Sequence, residues 1–238
     1  MPIVELLVAL RRKAGMMREE FLNYHYQVHG SLSTGPSPSG APLKYFQTHF
    51  VDTAYHEGVS QKVPNAHPVW AFIDDITELY FSSTEHMSQF FCVRMGHAEI
   101  TSTSKFEEHA FVAMYFVALR EQHPQAEGIT AKFASILQRY ASGDVLKLVA
   151  NTPSETRFDF GAYFGVSRPL PPYYVFTITL RETDSIGPIR TVQALFEEEV
   201  ADLLDLSATW IGVGERAVVL DQTENITFDP RRQPYKTI

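Results

Sequence analysis

Three side chains that form hydrogen bonds alternate along one short segment of the chain, the run L-K-Y-F-Q-T-H-F-V. Tyr45, Gln47 and His49 fall on one face of the strand that this run predicts, because alternate residues of a strand point to the same side. A phenol, an amide and an imidazole in a row are typical of a cavity wall that orients a polar group. A face that meets water is the alternative interpretation of the same pattern.

A second imidazole, that of His29, lies near the end of the run M-R-E-E-F-L-N-Y-H-Y-Q-V-H-G-S-L. Apolar residues recur at helical spacing and predict an amphipathic helix over residues 17–32. They are Met17, Phe21, Tyr24, Val28 and Leu32. Gly30 predicts the end of the helix, because glycine adopts a positive φ at little cost. His29 is then either an acid–base group or a structural cap in the last turn, where the helix dipole favours an imidazolium.

His29, His49 and Tyr45 are the predicted catalytic residues. Loss of CO₂ from a β-keto or ortho-hydroxy aromatic acid needs a place for the electrons and a proton donor with a suitable pKa. We expect one of the two histidines, as an imidazolium, either to bind a carboxylate or to protonate the carbon that CO₂ leaves, while the other histidine, with Tyr45, polarises the neighbouring carbonyl. All nine histidines lie within the first 123 residues, so imidazole chemistry is expected in the first half of the chain.

A metal site is the main alternative for these histidines. His25 and His29 are four residues apart, as in metal-binding helices, and His49 is an available third ligand. The chain has no H-E-x-x-H motif and one cysteine, so we predict no metal site. Neither G-x-G-x-x-G nor the phosphate-binding G-x-x-x-x-G-K occurs, and we predict no cofactor.

Charged residues near the ends of the strands offer two further hypotheses. Asp74, Asp75 and Glu78 supply neighbouring carboxylates that could act as paired acids for hydrolysis, but we favour a solvated strand edge. The basic residues 11–13 are placed to attract an acidic substrate, for which a solvated turn is the alternative.

Length and composition limit the class of protein. The 238 residues allow one large domain or two small ones, and 45% of them are hydrophobic. A formal charge of −8 argues against nucleic acid and anionic membranes as partners. The single cysteine excludes an intrachain disulfide and indicates a reducing compartment. The start of the chain lacks the pattern of a signal peptide, and no apolar run reaches the ~20 residues of a membrane helix. We expect a soluble, cytoplasmic protein.

The elements that must position these residues follow a recognisable order. The first half predicts β-α-β-β-α-β, the ferredoxin-like arrangement within the α+β class. Its elements are residues 3–10, 17–32, 43–51, 73–81, 83–95 and 111–119. The second half predicts a degenerate copy, so that two sheets pack together. Its elements are residues 129–140, 145–150, 173–180, 187–206 and 210–220. We expect units over 1–122 and 123–238, a lid over 33–42, a bulge or bend at Gly212 and Gly214, and a C-terminal arm from Gln222.

Three runs together carry a resemblance to a known family. R-R-K-A-G-M-M-R-E-E-F-L-N-Y-H-Y-Q-V-H-G-S-L, then L-K-Y-F-Q-T-H-F, then D-D-I-T-E-L-Y-F-S-S resemble the EthD family of the dimeric α/β-barrel superfamily. The resemblance covers about residues 1–122 and implies ferredoxin-like sheets that pair into a barrel around a cavity. It carries over His29, Tyr26, Tyr45, Gln47 and His49. The chain departs from the pattern in its double length, in a second half without Y-x-V-H-G, and in Tyr26 where tryptophan is more usual.

The resemblance also implies a function. Members similar to those of fungal polyketide pathways act as cofactor-free decarboxylases, cyclases or dehydratases on aromatic acids. Others are cofactor-free monooxygenases, or have no known activity. We therefore expect a lyase of secondary metabolism acting as a homodimer on a small aromatic substrate, with Tyr26, Gln47, His25 and Asp75 binding that substrate. The alternatives are a monooxygenase on a phenolic or anthrone substrate and a non-catalytic binding or oligomerisation module.

Overall fold

The computed structural model describes residues 3–33, 41–55, 73–87, 109–120, 127–153 and 173–234. Most of the predicted lid, residues 34–40, lies outside these ranges, as do residues 88–95 of a predicted helix. Residues 84–87, at the start of that helix, are helical.

Strands and helices of the described ranges follow the predicted order closely. The strands are β1 Val4–Leu10, β2 Lys44–Tyr55, β3 Asp75–Phe81, β4 His109–Ala118, β5 Val145–Asn151, β6 Tyr173–Leu180 and β7 Trp210–Asp221. The helices are α1 over residues 18–33, α2 Glu127–Tyr140 and α3 Ile186–Glu199. Short 3₁₀ turns follow at Thr183–Ser185, Gln222–Glu224 and Pro230–Arg232. Within the described ranges, no helix combines the length and apolar character that a membrane crossing requires.

The seven strands form one curled antiparallel sheet, in the order β1-β3-β2-β7-β4-β6-β5. The α+β class is confirmed, but the duplicated ferredoxin-like units are not. β4 pairs with β6 and β7 instead of closing the first half beside β1. β2 pairs with β7, so the halves share one continuous sheet where two packed sheets were predicted. The boundary at residue 122 stays a prediction.

Helices cover one face of this sheet. α2 and α3 bury Phe133 and Phe196 against Phe176 of β6, with the Phe133 and Phe176 rings stacked at 4.2 Å. α1 covers the other end of the same face, where Tyr26 packs with Leu79 and Val219. The core therefore lies between helices and sheet, and α1 is the element that closes it over β2 and β3.

The opposite face, called here the concave face, has an apolar part and a polar part. Phe50, Phe116 and Trp210 form the apolar part, with the Phe116 and Trp210 rings stacked at 4.1 Å. In the polar part, Glu78 accepts from Thr48 at 2.6 Å and from Tyr80 at 3.2 Å. Arg216 pairs with Glu78 through two donors and lies over the ring of Phe46.

α1 departs from the predicted helix. It runs as an α-helix over Arg18–Asn23, as a π-helix over Tyr24–Gly30 and as a last turn over Ser31–Ser33. The predicted end at Gly30 is wrong, because the helix continues past it. Among the described glycines, the one with a positive φ is Gly15, in the turn before α1.

The predicted apolar face of α1 is also wrong. Met17, Tyr24, Val28 and Leu32 are exposed, and the buried residues are Leu22, His25, Tyr26 and Gly30. A π-helix closes its turns with i→i+5 bonds, so the 3.6-residue spacing does not select its buried side.

Candidate active site

The segment in which α1 crosses β2 and β3 brings most of the predicted site residues together. On β2, Tyr45, Gln47 and His49 are each 0% exposed, which excludes the interpretation that their face meets water. Asp75 of β3 is likewise 0% exposed, and His25 of α1 is 3% exposed. The alternation of β2 thus predicted correctly that these polar side chains share one inward face.

Asp75 is the centre of the cluster. Its Oδ2 lies 2.9 Å from Nδ1 of His25 and 3.1 Å from Nε2 of His49. The antiparallel pairing of β2 with β3 sets His49 directly opposite Asp75, while His25 reaches down from α1. The other nitrogen of His25, Nε2, lies 3.2 Å from the hydroxyl of Thr77. One carboxylate therefore holds two buried imidazoles, as acid–base sites require of an orienting group.

Gln47 fixes the tautomer of His49. The side-chain amide nitrogen of Gln47 donates to the backbone carbonyl of His25 at 3.0 Å and to the hydroxyl of Tyr45 at 2.6 Å. Its oxygen consequently faces Nε2 of His49 at 3.1 Å. Two acceptors, this oxygen and Oδ2 of Asp75, thus converge on Nε2, which must carry the proton. In neutral His49 the lone pair is left on Nδ1.

Burial keeps His49 neutral at physiological pH. Removal from water lowers the pKa of His49 from 6.5 to about 4, against the opposing effect of the nearby Asp75 charge. Nδ1 of His49 is buried and has no hydrogen-bond partner in the described parts of the chain, and the same is true of Oδ1 of Asp75. Buried polar atoms are nearly always paired, so these two mark places for a ligand or water.

His29 lies at the outer end of this network. Its Nδ1 is 3.3 Å from the hydroxyl of Tyr45, and its ring centroid is 5.2 Å from that of His25. Burial and the neighbouring His25 lower the pKa of His29, and burial raises that of Tyr45. His29 is exposed on one side, so the contacts run from solvent through Tyr45 and Gln47 to His49. The structure does not place His29 against His49, and their cooperation stays a prediction.

Tyr26 supports the site from the side of the C-terminal arm. Its ring meets that of His49 edge to face at 6.3 Å between centroids. Its hydroxyl donates to the carbonyl oxygen of Asp229 at 3.2 Å, and burial raises the pKa of Tyr26 to about 12. An open groove lined by residues 226–232 lies on this arm and includes none of the predicted site residues.

The ligand atoms of His25, His49 and Asp75 all lie within 4.8 Å of one another, a spacing that a divalent cation accepts. Gln47 opposes that use. A metal on Nε2 of His49 would take the place of the proton and leave the Gln47 oxygen without its donor. The donor set therefore fits acid–base chemistry better than metal binding.

Sequence reasoning underrated the carboxylates. The interpretation of Asp74, Asp75 and Glu78 as a solvated edge is wrong, since all three are buried. Glu78 lies on the concave face, apart from the imidazoles. Asp74 binds Arg12, whose Nη1 lies 2.5 Å from Oδ1, so this arginine is not merely part of a solvated turn. Strand register would have identified Asp75, because an antiparallel pairing of β2 with β3 places it opposite His49.

Comparison with known proteins gave one match to a family. Residues 13–102 match the family model described as the EthD domain, which belongs to the dimeric α/β-barrel superfamily. That segment contains α1, β2 and β3, and with them all the predicted site residues. Searches of curated proteins and of solved structures gave no match.

Proposed function

Starting from an EthD domain over residues 13–102, we propose that this protein is a cofactor-independent lyase. Its substrate is an aromatic polyketide-type acid, on which it acts as a decarboxylase or as a cyclase or dehydratase. The observation that supports this best is the neutral, buried His49, which Asp75 and Gln47 hold and whose Nδ1 has no hydrogen-bond partner among the described residues. A general base that needs no metal or nucleotide is what such chemistry requires.

His49 begins the reaction as the base. Nδ1 accepts the proton of a phenolic or enolic hydroxyl of the substrate, and the imidazolium that forms is stabilised by the Asp75 carboxylate at its Nε2. His25 holds the same carboxylate oxygen in place. Asp75 thereby acts as orienting group and counter-charge.

In the decarboxylase, the same imidazolium then acts as the acid. The phenolate pushes electron density toward the ring carbon that bears the carboxylate, and that carbon takes the proton from His49. The C–C bond to the carboxylate breaks, CO₂ leaves, and the bonding electron pair returns to the ring and restores the phenolate. One proton from solvent completes the product.

The experiment is an assay of CO₂ release from anthrone- and naphthol-type carboxylic acids, with and without O₂. We expect turnover by the unaltered protein in both atmospheres, and a loss of roughly 10²–10⁴-fold in His49→Gln. His86→Gln is the matched control, because His86 bonds to Ser82 outside the site. Equal turnover by parent and His49→Gln would contradict the role of His49.

A monooxygenase is the second candidate, because its first step, deprotonation of a phenol, needs the same unpaired Nδ1. It predicts turnover that depends on O₂ and no CO₂ release in its absence. Binding of the acids without turnover in either atmosphere would instead support a non-catalytic module.

A further inference from the structure

Three buried polar atoms around the start of β3 have no hydrogen-bond partner among the described residues. They are Nδ1 of His49, Oδ1 of Asp75 and Nε of Arg18. Two of these atoms are acceptors and the third is a charged donor. A molecule that donates a hydroxyl proton to one of the acceptors and presents an anionic group to the arginine would satisfy two of these atoms.

The carboxylate beside Arg18 does not satisfy the hydrogen-bonding capacity of its guanidinium. Asp74 is 5% exposed and already bound on both oxygens by Arg12, through the backbone nitrogen at 3.0 Å and Nη1 at 2.5 Å. Nε of Arg18 lies 3.9 Å from Oδ1 of Asp74, beyond hydrogen-bond distance. Two guanidinium groups thus share the Asp74 carboxylate, and Nε of Arg18 is left without an acceptor among the described residues.

Arg18 is also placed to serve the site of His49. It opens α1, and Asp74 precedes Asp75 directly in the chain. After burial, Asp75 and His25, the Arg18 charge is a further influence on the pKa of His49, which it lowers. The Arg18 side chain is 40% exposed, so a solute reaches it from solvent.

We propose that Arg18 binds the carboxylate of the substrate, and that the substrate is an acid with a hydroxyl on the neighbouring carbon, as in 2-hydroxybenzoate. This inference rests on the proposed function, because it assigns the hydroxyl to His49. Asp75 repels a carboxylate from the imidazoles, so Arg18 takes the anion while Nδ1 of His49 accepts the one proton of the hydroxyl.

The test is binding of two probes by calorimetry, 2-hydroxybenzoate and its neutral analogue 2-hydroxybenzamide. We expect Arg18→Gln to weaken the binding of 2-hydroxybenzoate by about tenfold or more, as the loss of a charge-assisted hydrogen bond does. The affinity for 2-hydroxybenzamide should stay unchanged. Arg139→Gln, on the exposed side of α2, is the control and should leave the affinity for both probes unchanged. His49→Gln should weaken the binding of both probes.

The possible failures are distinguishable. If Arg18→Gln leaves 2-hydroxybenzoate binding unchanged while His49→Gln weakens both probes, the role of Arg18 is wrong and the site stands. If neither variant changes binding, the site itself is wrong. If the parent does not bind 2-hydroxybenzoate at millimolar concentration, the substrate class is wrong. Circular dichroism of each variant excludes loss of the fold as the cause.

Discussion

At the scale of single residues, the central result is that one carboxylate and one amide determine which nitrogen of His49 is basic. Asp75 and Gln47 both accept from Nε2, so the chemistry belongs to Nδ1. A histidine buried among acceptors is neutral at physiological pH, yet it becomes a strong acid once it has taken a proton from the substrate. His49 can therefore act as the base in the first step and as the acid in the next.

The charges around His49 predict opposite shifts of its pKa in two variants. Burial lowers this pKa to about 4, while the Asp75 carboxylate raises it and the Arg18 charge lowers it. We expect Asp75→Asn to lower the pKa of His49 further and Arg18→Gln to raise it. Titration of the imidazole proton resonances by NMR measures both.

A matched control for that titration is Glu19→Gln, an exposed position in the first turn of α1. It should leave the His49 resonance unchanged. Shifts of the same sign in Asp75→Asn and Arg18→Gln would contradict the arrangement of charges described above.

The sequence was sufficient to predict one wall of the site and insufficient for its centre. Tyr45, Gln47 and His49 alternate, and the period of a strand does not change with its surroundings. Asp75 became the centre only through the register of β2 against β3, which is a property of two distant segments. His25 was identified from its residue type and its spacing to His29, but its hydrogen-bond partner, Asp75, could not be identified in that way.

At the scale of elements, α1 and the glycines beside β2 determine where the site residues lie. The π-helical turns bring His25 and Tyr26 together to the buried side. The sequence predicted the existence of this helix but not its buried face, because the expected 3.6-residue period is not kept. The irregularity predicted at Gly212 and Gly214 lies in the neighbouring strand instead, since β2 carries one extra residue against β7 between Phe50 and Asp52.

Two glycine substitutions should behave in opposite ways. A Cβ at Gly214 would lie 2.1 Å from the carbonyl oxygen of His49, so Gly214→Ala must push β2 away. We expect a loss of roughly 1–3 kcal/mol in the free energy of unfolding, together with reduced activity because His49 moves. Urea unfolding and the CO₂ assay measure the two effects.

Gly30→Ala is the matched comparison. The nearest atom to its added Cβ is Cγ1 of Val219 at 3.4 Å, an ordinary van der Waals contact. Alanine is the better helix former by about 1 kcal/mol, so this variant should be at least as stable as the parent. If both substitutions destabilised the protein equally, the close approach of the His49 carbonyl would not be the reason why position 214 requires glycine.

At the scale of the whole molecule, the order of the strands explains why the sequence-based division failed. Local patterns predicted every described strand, yet pairing depends on which apolar faces meet. β7, the last strand, lies between β2 and β4 and joins the two halves into one sheet. The curl of that sheet encloses the polar part of the concave face, which no local pattern indicated.

Glu5 of β1 makes this concave face sensitive to pH. Its Oε1 is buried without a partner among the described residues. Burial and the neighbouring Glu78 raise the pKa of Glu5 from 4.5 to about 7, although Arg216, Tyr80 and Asn151 lower it. Asn151 ends β5, at the opposite edge of the sheet from β1, and its side chain is among the influences that lower the pKa of Glu5.

The raised pKa of Glu5 predicts the sign of its effect on stability. Below about pH 4.5 the folded and unfolded chains both carry the proton; between 4.5 and 7 only the folded chain does, so stability falls as pH rises. Above pH 7 both forms are ionised and the cost of the buried charge is complete, up to about 3 kcal/mol.

Glu5→Gln removes this contribution. We therefore expect its stability, relative to the parent, to increase between pH 4.5 and 7.5 in urea unfolding, while the exposed Glu19→Gln runs parallel to the parent. Parallel curves for Glu5→Gln and the parent would mean that Glu5 is ionised in the folded protein at the same pH as in the unfolded chain.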